Sequence, residues 1–465
     1  MGFRSTTALV ALSAGLAAVG CTGEDNASPR AATSNAGYVF PAPPKTRDGP
    51  LEAQVATAIG RLLDSAAVGV IDADALARVG ASGDARIGWL VSDLLRFYQG
   101  SADDGRLVEV FERLSGIDLA ADPQLDGGSW GSVTDHLLAW ELPAPPGYVR
   151  WKAKLFLAVE PRWKPFFDAA PSEIDWRRVS WGGVPIDDRK LGDPNPCPSG
   201  CIPALDDPQL TPASAGGWYP DERIVFGIVV GDEAVALPKN LMEVHELVNM
   251  SVGGRRLGIP YCTLCGSAQA YLVDAVPAGV EAPILRTSGL LSRSNKVMYD
   301  LVTRSVFDTF TGRALSGPLL REDVTLPQVT VVSSTWGEWK QAHPATRIVA
   351  RDGGIGRSYP DDPLRGRDDD GPIFPVGDVD SRLPVQGRVV GAIAEDGRPV
   401  AFPVEAARAA LEAGELVRAH GIELAADGGG FRASAEGGSV ELPAHEAFWF
   451  AWSQFHPSTE LWTRP

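Results

Sequence analysis

The sequence predicts an α+β protein, in which an N-terminal helical module is followed by a β-rich region built from two related units. Residues 51–170 carry apolar residues at helical spacing. From about Trp176 the chain changes to short apolar runs separated by Gly, Pro and Asp, and two of these runs recur near the C-terminus. About 415 residues of mature chain exceed what one hydrophobic core usually serves.

The first residues have the pattern of a secretory signal. Arg4 precedes an apolar run from Thr6 to Val19, and Ala18-Val19-Gly20-Cys21 resembles a bacterial lipobox. We predict a lipoprotein signal peptide over residues 1–20, lipid attached to Cys21 and a flexible tether over residues 21–50. The alternative is an ordinary signal peptide followed by an unmodified cysteine. Either kind of signal peptide places the protein outside the cytoplasm. The lipoprotein signal also anchors it in the cell envelope, facing the periplasm or the cell surface, with the membrane as a partner.

Residues 51–170 are predicted to form a helical domain. In "RIGWLVSDLLRFYQG" the residues Ile87, Leu90, Val91 and Leu94 recur at three- and four-residue steps, and Gly100 ends the pattern. The domain shows no catalytic constellation in its sequence. Its aromatic, proline-rich last part is expected to pack against the next domain.

The β-rich region contains two pairs of similar segments. "RIVFGIVVGDEAVALP" reads as a hairpin, and "RVVGAIAEDGRPVAFP" repeats its order of apolar run, acidic turn and proline. "STWGEWKQAHPATRIV" resembles "FWFAWSQFHPSTELW" in two tryptophans and a His-Pro-x-Thr. We therefore predict a β-rich domain over residues 176–360 and a smaller, related β-rich unit over residues 385–465. His343 and His456 are interpreted as matched framework positions.

Charge excludes one class of partner. The net charge of −17 and the pI near 4.9 oppose binding to the phosphates of nucleic acid. Past the signal peptide, the sequence has no apolar stretch long enough to span a membrane.

The cysteines are the strongest chemical signal. Outside the cytoplasm, thiols tend to be oxidised or metal-bound. "CTLCG" places Cys262 and Cys265 in the form of a zinc knuckle, which supplies only two of about four ligands. The best further ligand is His245 in "EVHELVN", with Glu246 as a ligand or general base and Asn249 four residues on, on the same helical face. Such a set suits zinc or copper. The alternative is that His245 only forms hydrogen bonds within the core.

Several motifs in fixed order resemble the bacterial family called domain of unknown function 3179. They are "ALPKNLMEVHELVNMSVGGRRLGIPYCTLCGSAQAY", "SGLLSRSNKVMYDLVTRSVFDTFTGRALSGPL" and "STWGEWKQAHP", within about residues 181–359, and a degenerate second copy is expected up to residue 462. The resemblance implies a shared site of His245, Glu246, Asn249, Tyr261, Cys262, Cys265 and Gly266, with Ser288, Asn295 and Asp300 as further motif positions. Cys197 and Cys201 lie outside this pattern, so we predict a local disulfide or an accessory role for them.

Three functions remain open. In the first, His245, Cys262 and Cys265 bind a transition metal, and Glu246 and Asn249 are catalytic, in a metal-dependent enzyme or a metal-handling lipoprotein. In the second, Cys262 and Cys265 cycle between dithiol and disulfide. In the third, the cysteines are structural and the protein is a surface scaffold or binding protein. The sequence leaves open whether the protein is an enzyme, and which small molecule or protein it binds.

Overall fold

The computed structural model describes residues 38–119, 128–366, 371–438 and 440–464. The predicted signal peptide and Cys21 lie outside the described residues. The described chain is helical up to Asp168, with α1 Ala53–Ala66, α2 Ala73–Gly80, α3 Gly88–Tyr98, α4 Asp104–Ser115, α5 Gly128–Trp140, α6 Tyr148–Val159 and α7 Lys164–Asp168. Among the described residues, no helix has both the length and the apolar character that a membrane span requires.

These helices form because their apolar residues fall on one face. Helix α3 buries Leu90, Val91, Leu94 and Leu95, which lie three or four residues apart. Residues 38–50, the last part of the predicted tether, also contact the helices, since Trp140 donates a hydrogen bond to the Pro41 carbonyl at 2.7 Å. This part of the predicted tether is therefore packed against the protein.

The rest of the chain is mainly short strands. They are β1 Val179–Trp181, β2 Leu205–Asp206, β3 Leu210–Pro212, β4 Ile224–Val230, β5 Glu233–Pro238, β6 Leu247–Val252, β7 Arg255–Cys262, β8 Ser267–Ala268, β9 Ala270–Leu272, β10 Leu285–Ser292, β11 Asn295–Asp300, β12 Val306–Phe307, β13 Gln328–Val329, β14 Val332–Thr335, β15 Arg347–Val349, β16 Arg388–Ile393, β17 Pro399–Pro403, β18 Val417–Ala419, β19 Ile422–Asp427, β20 Gly430–Ala435, β21 Glu441–Leu442, β22 Ala444–Phe448 and β23 Glu460–Leu461. Between them lie α8 Lys239–His245, α9 Gly317–Arg321, α10 Trp336–Ala342, α11 Val404–Glu412 and α12 Trp449–Phe455.

The strands form five sheets, the blades of a five-bladed β-propeller. Blade A has the order β1-β10-β11-β12, and blade B has β13-β9-β7-β6-β2 with β8 paired to β7. Blade C has the order β14-β4-β5-β15-β3, blade D has β22-β16-β17-β23, and blade E has β18-β19-β20-β21. The predicted β-rich region of two related units is therefore wrong. Similar segments occur in only two of the five sheets, and the other three carry no such sequence signal.

The two similar segment pairs belong to blades C and D. In each blade, a central hairpin (β4–β5 or β16–β17) is flanked by strands from much later in the chain. Blades A and B are largely inserted between β5 and β14, and blade E between β17 and β22. These insertions differ in size, so the two segment pairs are spaced differently along the chain.

Both blades bury a tryptophan against a glycine. A Cβ added at Gly227 would lie 2.4 Å from the Trp339 ring, and one at Gly391 would lie 2.1 Å from the Trp452 ring. The indole N–H of Trp339 donates to the Thr346 hydroxyl at 3.0 Å, and blade D repeats this contact from Trp452 to its own threonine at 2.9 Å. The glycines are therefore required by the close approach of an aromatic ring.

The helices dock onto blade A. Trp163 donates a hydrogen bond to the Ser288 carbonyl at 2.8 Å, and Arg96 donates one to the Trp181 carbonyl at 2.8 Å. The apolar core of the helices continues into this blade through Trp176, Leu290 and Tyr299. The hydrophobic core thus joins the helical part directly to the propeller.

Candidate functional site

The Cys-x-x-Cys segment forms a tight turn at the end of β7. Residues Thr263–Cys265 make a single 3-10 turn, after which the chain reverses so that Ser267 pairs with Cys262. Gly266 has φ +58, and a Cβ there would lie 3.0 Å from the Phe448 ring. Glycine is therefore needed both for the left-handed backbone and for the contact. Strands β8 and β9 follow the turn, so the Cys-x-x-Cys motif does not stand at the start of a helix as part of it.

The turn directs both sulfurs to one place. The Sγ atoms of Cys262 and Cys265 lie 2.9 Å apart and share a hydrogen bond. Both also lie near the Ser294 carbonyl, at 3.7 and 3.6 Å, and the Cys265 Sγ lies 3.6 Å from Asn295 Oδ1. The two cysteines are 2% and 0% exposed, so the pair is shielded from direct contact with large molecules.

The environment shifts the pKa values of the two thiols in opposite directions. Burial raises the pKa of Cys262, but the hydrogen bond shared with Cys265, the backbone N–H of Lys296 and the Lys296 ammonium outweigh it, and the pKa falls below its usual value. Burial raises the pKa of Cys265 well above its usual value, and its hydrogen bond to Cys262 adds to the rise. Cys262 is therefore the sulfur that ionises first, while Cys265 keeps its proton.

Glu246 and Lys296 form a buried ion pair beside the turn. The Lys296 Nζ lies 2.9 Å from Glu246 Oε2 and donates to the carbonyls of Glu246 at 2.5 Å and Tyr261 at 3.1 Å. The other carboxylate oxygen accepts from the Thr263 hydroxyl at 3.1 Å. Glu246 has φ +51, a left-handed conformation that turns its side chain towards the cysteine turn. Its carboxylate holds Lys296 and Thr263 in place.

His245 lies at the end of α8 and contacts a different part of the protein. Its Nδ1–H donates to the Pro203 carbonyl at 2.6 Å, which leaves Nε2 to accept from the Tyr359 hydroxyl at 2.7 Å. Burial lowers the pKa of His245 to about 4, so the imidazole is neutral at pH 7. Among the described residues, no histidine nitrogen or carboxylate oxygen lies close enough to the sulfurs of both Cys262 and Cys265 to bind a metal ion together with them. The predicted metal set of His245, Cys262 and Cys265 is therefore not formed, because both imidazole nitrogens are used in other hydrogen bonds.

Asn249 belongs to a buried polar network in β6. Its amide donates to Asp206 Oδ1 at 2.9 Å and to the Leu285 carbonyl at 3.1 Å. Asp206 also receives two hydrogen bonds from Arg286, which is 0% exposed. Both amide hydrogens of Asn249 are therefore used in holding β6, β10 and the segment of β2 together. In the described chain these contacts place Asn249 in a network that joins strands, and its catalytic role stays a prediction.

Cys197 and Cys201 form a disulfide. Together with Asp187 they make a possible metal-binding group, since one ligand atom from each lies within 4.8 Å of the others. The Asp187 carboxylate, however, already receives hydrogen bonds from Arg189 and from the Ala204 N–H. Disulfide sulfurs are not thiolates, so this group would bind a metal ion only after reduction.

A cavity of ≈ 100 Å³ adjoins the cysteine turn. Glu246, Thr263, Leu264 and Lys296 line one side of it. The remaining wall is mainly apolar and comes from blade A and a nearby loop, including Val184, Leu290, Leu291, Val297 and Phe374. A small molecule that fills this space would contact the ion pair and the residues between the two cysteines.

One family model matches the chain over residues 199–440, more than half of its length, and its description is Protein of unknown function (DUF3179). The chain belongs to this family. The resemblance drawn from the motifs is thereby confirmed, although the match begins later and extends further than residues 181–359. No curated protein and no solved structure matches the chain.

Sequence reasoning missed three residues of this region. Lys296 directly follows the motif residue Asn295, but nothing in the sequence shows that its ammonium lies against Glu246. Thr263 lies inside the Cys-x-x-Cys turn, but the motif indicates metal ligands only at its cysteines, and nothing in it predicts the hydrogen bond from the Thr263 hydroxyl to Glu246. Tyr359, the hydrogen-bond partner of His245, is 114 residues away in the chain. A contact at such separation leaves no local pattern.

Proposed function

We propose that this DUF3179 protein is a thiol–disulfide redox protein of the cell envelope, with Cys262 and Cys265 as its redox couple. The observation that supports this most is the 2.9 Å contact between two sulfurs of unequal acidity. The envelope location and the lipid anchor are part of the proposal, and rest on the sequence before Cys21.

A metal-dependent function is less well supported by the same geometry. A tetrahedral zinc ion with zinc–sulfur distances near 2.3 Å would hold the sulfurs about 3.8 Å apart. It would also need two further ligands, and copper likewise prefers added nitrogen or sulfur ligands. The oxygen atoms near the sulfurs in the described chain belong to a backbone carbonyl and a side-chain amide, which are poor ligands for either metal.

The proposed chemistry is a two-step exchange with a small disulfide. The Cys262 thiolate attacks one sulfur of the substrate, the substrate S–S bond breaks, and one substrate thiolate leaves. Cys265 then loses its proton and attacks Cys262 in the mixed disulfide, which releases the second substrate thiolate. The protein gives up two electrons and ends with a Cys262–Cys265 disulfide, while the substrate is reduced to two thiols.

The residues around the turn have distinct parts in this proposal. The backbone N–H and the ammonium of Lys296 stabilise the Cys262 thiolate, and Glu246 positions Lys296 through the 2.9 Å ion pair. The cavity of ≈ 100 Å³ is lined by Thr263 and Leu264 but by neither cysteine, so it would hold a small, largely apolar substrate beside the pair. The couple therefore acts on low-molecular-weight disulfides, since the buried sulfurs are closed to a folded protein.

The test is a reaction of the reduced protein with 4,4′-dithiodipyridine, a small aromatic disulfide that releases a coloured product. Wild-type protein should release two equivalents per Cys262–Cys265 pair and form an internal disulfide. Cys265→Ser should stop after one equivalent, with the probe retained on Cys262. A Cys197→Ser/Cys201→Ser variant is the matched control: the Cys262–Cys265 pair should release its two equivalents as in wild type, without the release that an opened Cys197–Cys201 disulfide would add.

Two results would contradict the proposal. One is wild-type protein that keeps a probe molecule on each cysteine without forming the internal disulfide. The other is a Cys262→Ser variant that reacts as fast as Cys265→Ser, since Cys265 keeps its proton and should be the poorer nucleophile.

A further inference from the structure

A second cavity lies between the start of α8 and the loop of residues 351–361. Its volume of ≈ 490 Å³ falls within the range typical of small-molecule sites. Trp218, Tyr219 and Tyr359 contribute aromatic rings to its lining. The exposed residues Arg351 and Ser358 also line it, so the cavity opens to solvent. The Cys262–Cys265 pair does not line this cavity.

Two arginines of this cavity have no acidic partner in the part of the chain that the structure describes. Among the described residues, the guanidinium groups of Arg351 and Arg357 make no ion pair and no hydrogen bond, whereas Arg223 in the same lining is paired with Asp361 at 2.5 Å. The Arg357 guanidinium lies 5.9 Å from the centre of the Tyr359 ring. The remaining acid, Asp352, accepts a hydrogen bond from the Gly354 N–H. In a chain of net charge −17, this cavity therefore carries an excess of positive charge.

A buried acceptor in the cavity wall is also without a partner among the described residues. Asn240 is 6% exposed and lines the cavity. Its Nδ2 donates to the Pro360 carbonyl at 2.9 Å, which fixes the orientation of the amide, but Oδ1 receives no hydrogen bond from any described residue. A buried polar atom without a partner is unfavourable unless a bound molecule satisfies it. The missing group is a hydrogen-bond donor such as a hydroxyl.

Hydrogen bonding holds the aromatic wall in place. The Tyr359 hydroxyl donates to His245, whose other nitrogen is held by the Pro203 carbonyl. Trp218 packs edge-on to Tyr219 with ring centres 5.5 Å apart. The cavity therefore has fixed aromatic surfaces next to cationic groups, and its wall contains the buried, unpartnered acceptor of Asn240.

We propose that this cavity binds a uronic acid, a sugar that carries a carboxylate. The guanidinium groups of Arg351 and Arg357 bind the carboxylate through charge-assisted hydrogen bonds. Asn240 Oδ1 accepts a hydrogen bond from a sugar hydroxyl, and the apolar face of the sugar ring packs on Trp218. This site is independent of the proposed redox couple, and the protein would carry it whether or not Cys262 and Cys265 are redox-active.

The experiment is isothermal titration calorimetry of the full-length protein with D-galacturonate, D-galactose and benzoate. We expect galacturonate to bind at least about tenfold more tightly than galactose, which lacks the carboxylate, and than benzoate, which lacks hydroxyls. Arg351→Gln/Arg357→Gln should lower the galacturonate affinity at least about tenfold. Arg150→Gln, which changes another exposed arginine, is the control and should leave the affinity unchanged.

Three outcomes would overturn the proposal. The first is no binding of galacturonate by wild-type protein. The second is equal affinity for galacturonate and either comparison compound, which would show that the carboxylate or the hydroxyls are not recognised. The third is unchanged galacturonate affinity in the double arginine variant while its thermal unfolding matches wild type, which would place the binding elsewhere.

Discussion

Replacing Lys296 by Met tests whether the buried ion pair supports the cysteine turn. The side chains of Lys296 and Glu246 are only 4% and 13% exposed, so solvent does little to screen their 2.9 Å contact. The substitution keeps an apolar chain of similar length but leaves the Glu246 carboxylate buried without its cation. It also removes the hydrogen bonds from Nζ to the carbonyls of Glu246 and Tyr261.

The expected loss of stability is about 3–5 kcal/mol, which is typical when one partner of a buried pair is removed. Urea-induced unfolding followed by tryptophan fluorescence measures it. Arg113→Met is the matched control, because Arg113 and Glu109 form an exposed pair, 55% and 62% exposed, whose loss should change stability by no more than about 0.5 kcal/mol. Adding Glu246→Gln to Lys296→Met should recover much of the loss, since the double variant buries no unpaired charge.

The same variant has a chemical consequence. Without the Lys296 ammonium, the pKa of Cys262 should rise, so the midpoint of its alkylation by iodoacetamide moves to higher pH. A loss of stability below about 1 kcal/mol would refute the inference that the pair is desolvated. An unchanged alkylation midpoint would refute the link between Lys296 and the thiolate.

Three further predictions concern other parts of the molecule. Gly391→Ala should destabilise the protein by about 1–3 kcal/mol, because the added Cβ overlaps the Trp452 ring. The control is Gly60→Ala in α1, whose added Cβ meets no atom within 4 Å and should not destabilise the protein. Equal melting temperatures of the two variants in thermal unfolding would contradict the close contact of Gly391 with Trp452. Burial lowers the pKa of His445 to about 3 and that of His456 to about 4, so the unfolded chain takes up protons first as the pH falls below 6.5. The free energy of unfolding should therefore fall by about 1.4 kcal/mol per pH unit for each histidine between pH 6.5 and 4. His445→Gln should reduce this pH dependence in urea unfolding. An unchanged pH dependence would show that His445 is protonated in the folded state. Cys21→Ser should move the protein from the membrane fraction to the soluble fraction, and a variant that stays with the membrane would remove the lipid anchor from the proposal.

Local patterns in the sequence predicted local structure. The apolar spacing around Leu90 and Leu94 predicted helix α3, and the apolar runs on either side of Gly231 predicted the hairpin of β4 and β5. The Cys-x-x-Cys-Gly motif predicted a tight turn with both sulfurs on one side, because Gly266 permits the left-handed backbone that closes it. In each case the interacting residues are close in the chain.

The number of sheets and the composition of the site depend on distant contacts. Strand β1 pairs with β10, and β14 pairs with β4, across more than a hundred residues, and strands of two or three residues have too few side chains to show a period. His245 and Glu246 are neighbours in the sequence, and the helix pattern predicted that both side chains belong to one site. The left-handed conformation of Glu246 ends α8 between them, so His245 contacts Tyr359 and Glu246 contacts Lys296. A backbone conformation rare for glutamate could not be read from the sequence.

The redox state of Cys262 and Cys265 in protein purified without chelator or reductant tests the central proposal most directly. Alkylation before and after equilibration in buffers of graded thiol–disulfide ratio, read by mass spectrometry, gives the fraction of this pair that is oxidised, and elemental analysis of the same sample gives the bound metal. The proposal predicts a reversible two-electron transition of the pair, with no stoichiometric zinc or copper and with His245→Ala leaving the transition in place. One zinc or copper ion per chain, lost together with thiol protection when His245 is replaced by Ala, would contradict it and support a metal site instead.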